Sequence, residues 1–349
     1  MDAALPSGAF GTLRADIADP NAVPGPTVMN DPHSPSAIAT DDRLLAEGHP
    51  VVVVCGADDR FAMPLAVTLY SALSNYRSSL PVKVFIIDGG IRAPNRLRVD
   101  RVLGELGAVA EWLEPDWRPV QHLAVSDRYP ASIFLRLLIP TILPQWVEKA
   151  VYLDSDLIVG ANIGDLWEVD LGRKALLGVQ DEGVLTVASP WGLANYRELC
   201  LDPSTTYFNS GVLVFDLRAW RERGLADRVI EYVAAHPNQM RFGEQDALNA
   251  VLAGTWGALD PTWNQLVSPW EGHNGRHYQP GILHFVSICK PWNPDGAHWT
   301  NFLYDRCLRR SGWYNGLEWW KYYVPLLVQR QWAIYLRSRG SSSRQRKAI

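Results

Sequence analysis

The chain has 349 residues, 47% of them hydrophobic, and a formal net charge of −4. That length supports one large or two small domains with a substantial core, and the slightly acidic balance gives no hint of nucleic-acid binding by the whole chain. The charge is uneven, however: residues 306–349 hold ten Lys or Arg against one acid, Glu318, a local +9 that leaves −13 for the rest.

Residues 1–48 are rich in Pro, Ala, Ser, Asp and Asn, lack sustained periodicity, and read as a disordered leader. They contain no basic segment followed by an apolar core, so no signal peptide is expected. No apolar run approaches about 18 residues, so no membrane-spanning helix is expected either. Cys55, Cys200, Cys289 and Cys307 are scattered without a C-x-x-C pair. They do not look like a disulfide or zinc framework, and a reducing cytoplasm is the simplest home.

Folding is expected to begin at His49-Pro50. Residues 51–57 form an apolar strand with Asp58-Asp59 at its carboxyl end, and 61–75 show helical spacing through Leu65, Leu69, Ala72 and Leu73. A second strand, 82–87, closes at Asp88-Gly89-Gly90. A helix over 92–106 has Pro94 near its start and Gly107 past its end. Residues 109–113 are a third strand, and 132–138 a helix that is apolar apart from Ser132 and Arg136. Next comes the run 151–159, Val-Tyr-Leu-Asp-Ser-Asp-Leu-Ile-Val, with Asp154 and Asp156 two apart among apolar neighbours. If one strand continues through them, period two puts both carboxylates on one face, where repulsion and lost hydration call for a cation. If the strand ends at Leu153, they are two solvated turn aspartates.

Downstream, 175–179 is a strand ending at Gln180-Asp181-Glu182, and Tyr207 to Asp216 joins a polar turn to a strand. Helices are expected over 217–223, 226–235 and 245–253, and a short last strand over 282–285 precedes Lys290-Pro291-Trp292. Alternating strands and helices predict an α/β fold, a mostly parallel sheet covered on both faces. Such sheets bind ligands beyond the carboxyl ends of their strands, where Asp58 and the Asp154/Asp156 pair sit.

Six pieces in this order carry a resemblance: Gly56-Ala57-Asp58-Asp59; Arg136 in Phe134-Leu135-Arg136-Leu137; Tyr152-Leu153-Asp154-Ser155-Asp156; Tyr207-Phe208-Asn209-Ser210-Gly211-Val212; Glu244-Gln245-Asp246-Ala247-Leu248-Asn249; and His284 with Lys290-Pro291-Trp292. Together they resemble glycosyltransferase family 8, retaining nucleotide-sugar enzymes that include glycogenin and bacterial lipopolysaccharide galactosyl- and glucosyltransferases. The likeness implies a single Rossmann-like, GT-A-type nucleotide-sugar domain, set here at 49–305, followed by a basic, Trp-rich helical tail over 306–349. It also implies a hexosyltransferase moving glucose or galactose from a UDP-sugar to a saccharide or lipid-linked acceptor.

By the same resemblance, Asp154, Asp156 and His284 hold Mn²⁺ or Mg²⁺, a ligand set suited to such an ion. Lys290 is a point charge on the diphosphate. Ala57 and Asp58 face the uridine end, and Ser155 contributes to donor binding. Arg136, a lone guanidinium among apolar residues, serves the donor. Asp181, Asn209, Glu244 and Gln245 match positions that touch the donor sugar or lie beside the reacting carbon. Asp181, Gln245 and Arg136 are the catalytic candidates; Gln245, an amide, is a poor nucleophile, which favours front-face attack. Glu244 stands where relatives commonly have aspartate, and Ser287 where they have glycine.

Two other functions use similar features. A haloacid-dehalogenase-type phosphatase also ends a strand in D-x-D, but normally in its first strand, and a silent sugar-nucleotide-binding protein would be expected to lose ligands. Trp256, Trp263, Trp270, Trp292 and Trp299 read mostly as core. The tail mixes Trp313, Trp319, Trp320 and Trp332 with Lys321, Arg330, Arg337 and Arg339, a pattern suited to peripheral contact with an anionic membrane or to a packed helix with a solvated basic end. No nucleic-acid partner is expected.

Overall fold

The structure is a computed structural model that describes residues 49–123, 130–267, 278–286, 290–294 and 300–332. The expected leader over 1–48, the last part of the tail, Ser287, Trp270 and Trp299 lie outside the described residues. Strand β1 (Val51–Ala57) sits inside the central sheet. Its side chains alternate: Val51, Val53 and Cys55 pack into one core layer, Val52 and Val54 into the layer on the other face. Both faces are dry, which is why the strand reads as an unbroken apolar run.

β2 (Val82–Asp88) and β3 (Ala110–Leu113) extend the sheet in parallel on one side, and β4 (Lys149–Leu153) on the other. β7 (Phe208–Asp216) then pairs antiparallel with β4, β6 (Leu176–Gln180) antiparallel with β7, and β8 (Gly257–Ala258) parallel with β6. The order is β3-β2-β1-β4-β7-β6-β8, and only β7 runs against the rest. Helices Ala62–Ser74 and Ala93–Gly104 fill one core layer; Leu225–Ala235 and Glu244–Val251 fill the other. The α/β class with a mostly parallel sheet covered on both faces holds.

The run 151–159 is two strands. β4 stops at Leu153, the chain turns through Asp154-Ser155-Asp156, and β5 (Leu157–Val159) enters a second sheet. There it pairs antiparallel with β10 (Ile282–His284), with Leu157 opposite His284, while β9 (Gln265–Leu266) flanks β10 in parallel. Of the two alternatives, the strand does end at Leu153, but its aspartates are not simply solvated: Asp156 is buried and Asp154 half-buried.

The other edge of β5 meets helix Ala62–Ser74. Thr68 Oγ1 accepts from Leu157 N–H and donates to the Leu157 carbonyl, both at 3.0 Å. Ser71 Oγ accepts from Val159 N–H at 2.9 Å, and Asn75 Nδ2 donates to the Val159 carbonyl at 2.8 Å. Two fully buried hydroxyls in an apolar helix thus have a purpose: they close a strand edge.

The expected helix over 132–138 winds as a 3-10 helix, Ala131–Leu138. Pro140 has no N–H to give the Arg136 carbonyl, which accepts from Ile139 in the tighter pattern. At the other end of the chain, helix Asn301–Arg310 runs through position 305/306 and buries Tyr304 and Leu308 in the core, beside Trp313 and Tyr323. Asp305 accepts from Tyr323 Oη and, at 2.9 Å, from Arg330 Nη1, while Arg98 pairs with Glu318. Trp320 and Trp332 stay 71% and 62% exposed. Among the described residues, no helix is long and apolar enough to cross a membrane.

Candidate active site

Two sheets converge on the turn 154–156. β4 delivers Asp154 at its carboxyl end, β5 begins just after Asp156, and the β5–β10 pairing brings His284 alongside. His284 Nε2 lies 3.3 Å from Asp156 Oδ1 and 3.8 Å from Asp154 Oδ2. One ligand atom from each of the three residues falls within 4.8 Å of the other two. Two carboxylate oxygens and one imidazole nitrogen at this spacing fit a divalent ion of the Mg²⁺ or Mn²⁺ kind. The imidazole can lie there because residue 211 is glycine: a Cβ on Gly211 would fall 2.2 Å from His284 Cε1.

Lys290 Nζ donates to Asp156 Oδ2 at 2.6 Å, so this cation stands at the edge of the cluster. Burial alone would raise the Asp156 pKa, but Lys290 and His284 reverse that and hold it well below the usual carboxylate range. Asp154 Oδ1 accepts from Tyr152 Oη at 2.6 Å and Arg136 Nη2 at 2.7 Å, leaving Oδ2 toward His284. Ser155, between them in the turn, donates to the Gly56 carbonyl at 3.0 Å.

Arg136 is buried, which opposes its charge, yet the carboxylates of Asp154 and Glu244 more than offset that and raise its pKa. Its Nη1 donates to Ser210 O and Oγ, both at 2.7 Å, its Nε is 3.2 Å from Glu244 Oε1, and its guanidinium stacks over the Tyr152 ring. This group braces the site from within: it meets Asp154 directly and reaches the rim of the site through that carboxylate. For Glu244 burial wins, and its carboxyl is pushed up to about 7 despite Arg136.

The sugar-side candidates come from a bulge. Pairing of β6 with β7 slips between Gly178 and Val179, which face Leu213 and Asn209, and the extra chain turns Asn209, Ser210 and Gly211 into the site. Asn209 Nδ2 donates to Asp181 Oδ2 at 3.0 Å, and Gln245 Nε2 donates to the same oxygen at 3.3 Å. Gln245 Oε1 accepts from Ser210 N–H at 2.9 Å. Asp181, Asn209, Glu244 and Gln245 therefore form one buried group that adjoins the carboxylate cluster through Ser210 and Arg136.

Asp58 lies apart, beyond β1. Its carboxylate accepts from Arg60 N–H at 2.9 Å, Arg60 Nη2 at 2.8 Å and Ser132 Oγ at 3.0 Å. Burial pushes its pKa up, but these donors prevail and lower it. The Ala57 carbonyl accepts from Gly89 N–H at 2.8 Å. Three residues that the sequence reading left unassigned belong to the site: Ser210, which links Arg136, Glu244 and Gln245; Tyr152, beneath Arg136; and Asn264, 3.0 Å from His284 Nδ1. Ser210 and Tyr152 lie inside quoted motifs; nothing in the local sequence marks Asn264.

A mostly parallel sheet with a carboxylate pair and an imidazole beyond its strand ends is the architecture of a GT-A-type glycosyltransferase. The chain belongs to glycosyl transferase family 8, whose model matches residues 52–296. It is similar to General stress protein A of Bacillus subtilis, 29% identical over 261 residues, covering 70% of this chain and 88% of that protein. It is also similar to glycosyltransferase GlyF of Streptococcus pneumoniae, 24% identical over 275 residues, covering 76% of this chain but only 62% of that one. Among solved structures, the galactosyltransferase LgtC in complex with donor and acceptor sugar analogues superposes with a TM-score of 0.66 at 22% identity, over 77% of this chain and 99% of that chain. Mouse xyloside xylosyltransferase 1 gives 0.52 at 18% identity, over 68% and 98%. The superpositions show a shared fold, and the family match makes the chain a glycosyltransferase.

Proposed function

We propose that this glycosyltransferase moves a hexose, glucose or galactose, from a UDP-sugar to a saccharide or lipid-linked acceptor, retaining the anomeric configuration. The observation that carries the reading is the convergence of Asp154, Asp156 and His284 with Lys290 at one end of the sheet. Mn²⁺ or Mg²⁺ on those three residues would supply positive charge against a departing diphosphate. Lys290 adds a second positive point at Asp156, and Arg136 holds Asp154 in place. Asp58 and Ala57 serve the uridine end; Asp181, Asn209, Glu244 and Gln245 serve the donor sugar. Gln245 is the catalytic-position amide and cannot take a proton at neutral pH, so attack from the leaving-group face, with a diphosphate oxygen accepting the acceptor's proton, fits best.

Proton NMR of fresh product from an α-linked UDP-hexose tests this: an α signal is expected, and a β signal overturns it.

We further assign the exposed Leu317, Trp320, Val328 and Trp332, in the same basic stretch of sequence as Lys321, to peripheral contact with an anionic membrane on the cytoplasmic side. Removing the tail after Ser311 would strip Trp313, Tyr323 and Arg330 from the core, so substitution is the cleaner test. Trp320→Ala with Trp332→Ala should weaken binding to anionic vesicles and leave donor hydrolysis unchanged. Equal vesicle binding removes the assignment.

A further inference from the structure

We infer that Asn264 is a positioning residue that fixes the tautomer of His284, through a hydrogen-bond relay anchored on the backbone N–H of Gly211. The chemical sense of each link follows from its neighbour. Gly211 N–H, which can only donate, lies 2.9 Å from Asn209 Oδ1. At its other end, the Asn209 amide nitrogen lies 3.0 Å from Asp181 Oδ2, which is already positioned by the donors that Asp181 Oδ1 accepts from Gly183 and Val184 N–H at 2.8 and 3.0 Å. Both neighbours demand the same amide orientation, so the oxygen of Asn209 points toward Gly211.

That oxygen also faces Asn264 at 2.8 Å, and two oxygens cannot share a hydrogen bond without a proton between them. Asn264 must therefore present its NH₂ to Asn209, which turns its own oxygen toward His284 Nδ1 at 3.0 Å. An amide oxygen only accepts. Nδ1 of His284 thus carries a proton, and with a cation between Nε2 and the carboxylates of Asp154 and Asp156 that face it, the lone pair lies on Nε2. Asn264 is 1% exposed and Asn209 6%, so water does not offer an easy substitute for either partner. The relay also explains two asparagines that neither pack as apolar core nor sit in a solvated turn.

The consequence rests on the reading of Asp154, Asp156 and His284 as a metal cluster. An imidazole held through Nδ1–H is oriented to ligate through Nε2, and partners that orient a ligating histidine typically contribute about 10- to 100-fold in metal affinity. Without the cation, Asp156 Oδ1 at 3.3 Å competes for a proton on Nε2, so this tautomer belongs to the loaded site. Nor does the relay stop at the histidine: Asn209 belongs to the sugar-side group, so one chain of amides joins the two halves of the site.

The test is ¹⁵N NMR of the histidine rings in the Mg²⁺-loaded, full-length protein, assigned with His284→Gln. The wild type should show protonated Nδ1 and unprotonated Nε2, and the opposite tautomer overturns the proposal. Asn264→Leu removes the acceptor and should populate the Nε2–H form. Asn264→Asp keeps an acceptor for Nδ1 and should retain the wild-type tautomer although it cannot donate to Asn209. An unchanged tautomer in Asn264→Leu overturns the role assigned to Asn264. Mn²⁺ titration followed by electron paramagnetic resonance separates the underlying reading. Binding should weaken about 10- to 100-fold in Asn264→Leu; a wild type that binds no Mn²⁺ defeats the metal reading, whereas one that binds Mn²⁺ with the opposite tautomer defeats only the relay.

Discussion

Asp58 and Asp156 are both aspartates at the ends of the sheet's dry strands, yet they are held in different ways. The partners of Asp58 are mostly local: Arg60 lies two residues on, and only Ser132 comes from elsewhere. The partners of Asp156 are His284 and Lys290, brought in over more than 120 residues by the β5–β10 pairing. A local arrangement is a property of a turn and survives small changes around it. A long-range one exists only when both sheets are complete, so each of its members depends on the others.

The largest expected effect lies at the long-range end. Asp156→Ala, and separately His284→Ala, should lower metal-dependent UDP release by about 10²- to 10³-fold while the protein stays folded, as expected when electrostatic stabilisation of a leaving group is lost. Steady-state rates across a Mn²⁺ series, with circular dichroism as the check on folding, measure this. Near-normal turnover at low Mn²⁺ would remove that residue from the metal shell.

Glu244 gives an effect nearly as large, read in stability. Its carboxyl is raised by burial to about 7 from an ordinary 4.5, with Arg136 opposing. A carboxylic acid that holds its proton more tightly when folded contributes stability that is complete below pH 4.5 and is lost as pH rises through about 7. Relative to Glu244→Gln, which cannot ionise, the wild type should lose about 3 kcal/mol across that window. Urea unfolding of both proteins at several pH values measures the gap, and a pH-independent gap would mean that Arg136 keeps Glu244 ionised throughout.

The smallest effect belongs to the local end. Asp58→Asn keeps an oxygen for Arg60 N–H but loses the charge and the oxygen that accepts from Arg60 Nη2 and Ser132 Oγ, so the donor KM should rise several-fold, about 1 kcal/mol, with kcat nearly held. A collapse in kcat would place Asp58 in the same class as Asp156 and erase the contrast.

The same distinction explains what could be read from the sequence. Most of the strands and helices of the central sheet were legible, because a dry strand such as β1 must be apolar throughout and helices Ala62–Ser74 and Ala93–Gly104 carry their own spacing. The residues of the carboxylate cluster were legible as a family pattern. Their meeting was not, because the break at Leu153 and the pairing of Leu157 with His284 depend on a second sheet whose strands are only two or three residues long. Neither was the reversal of β7, since antiparallel and parallel strands that are dry on both faces look alike. Asn264 was invisible for a third reason: a single asparagine before a two-residue strand carries no periodicity, and its role appears only in the atoms around it.

The hydroxyls that helix Ala62–Ser74 offers to β5 bear on how this chain can go wrong. They close one edge of Leu157-Ile158-Val159 from a segment that precedes it, but the opposite edge waits for residues 282–284, more than 120 positions later. Until those arrive, three apolar residues, two of them β-branched, present an unpaired backbone edge, the kind of surface that recruits other chains. Fragments ending before Ile282 would therefore emerge as aggregation seeds, and any shortened version of this enzyme should keep β10.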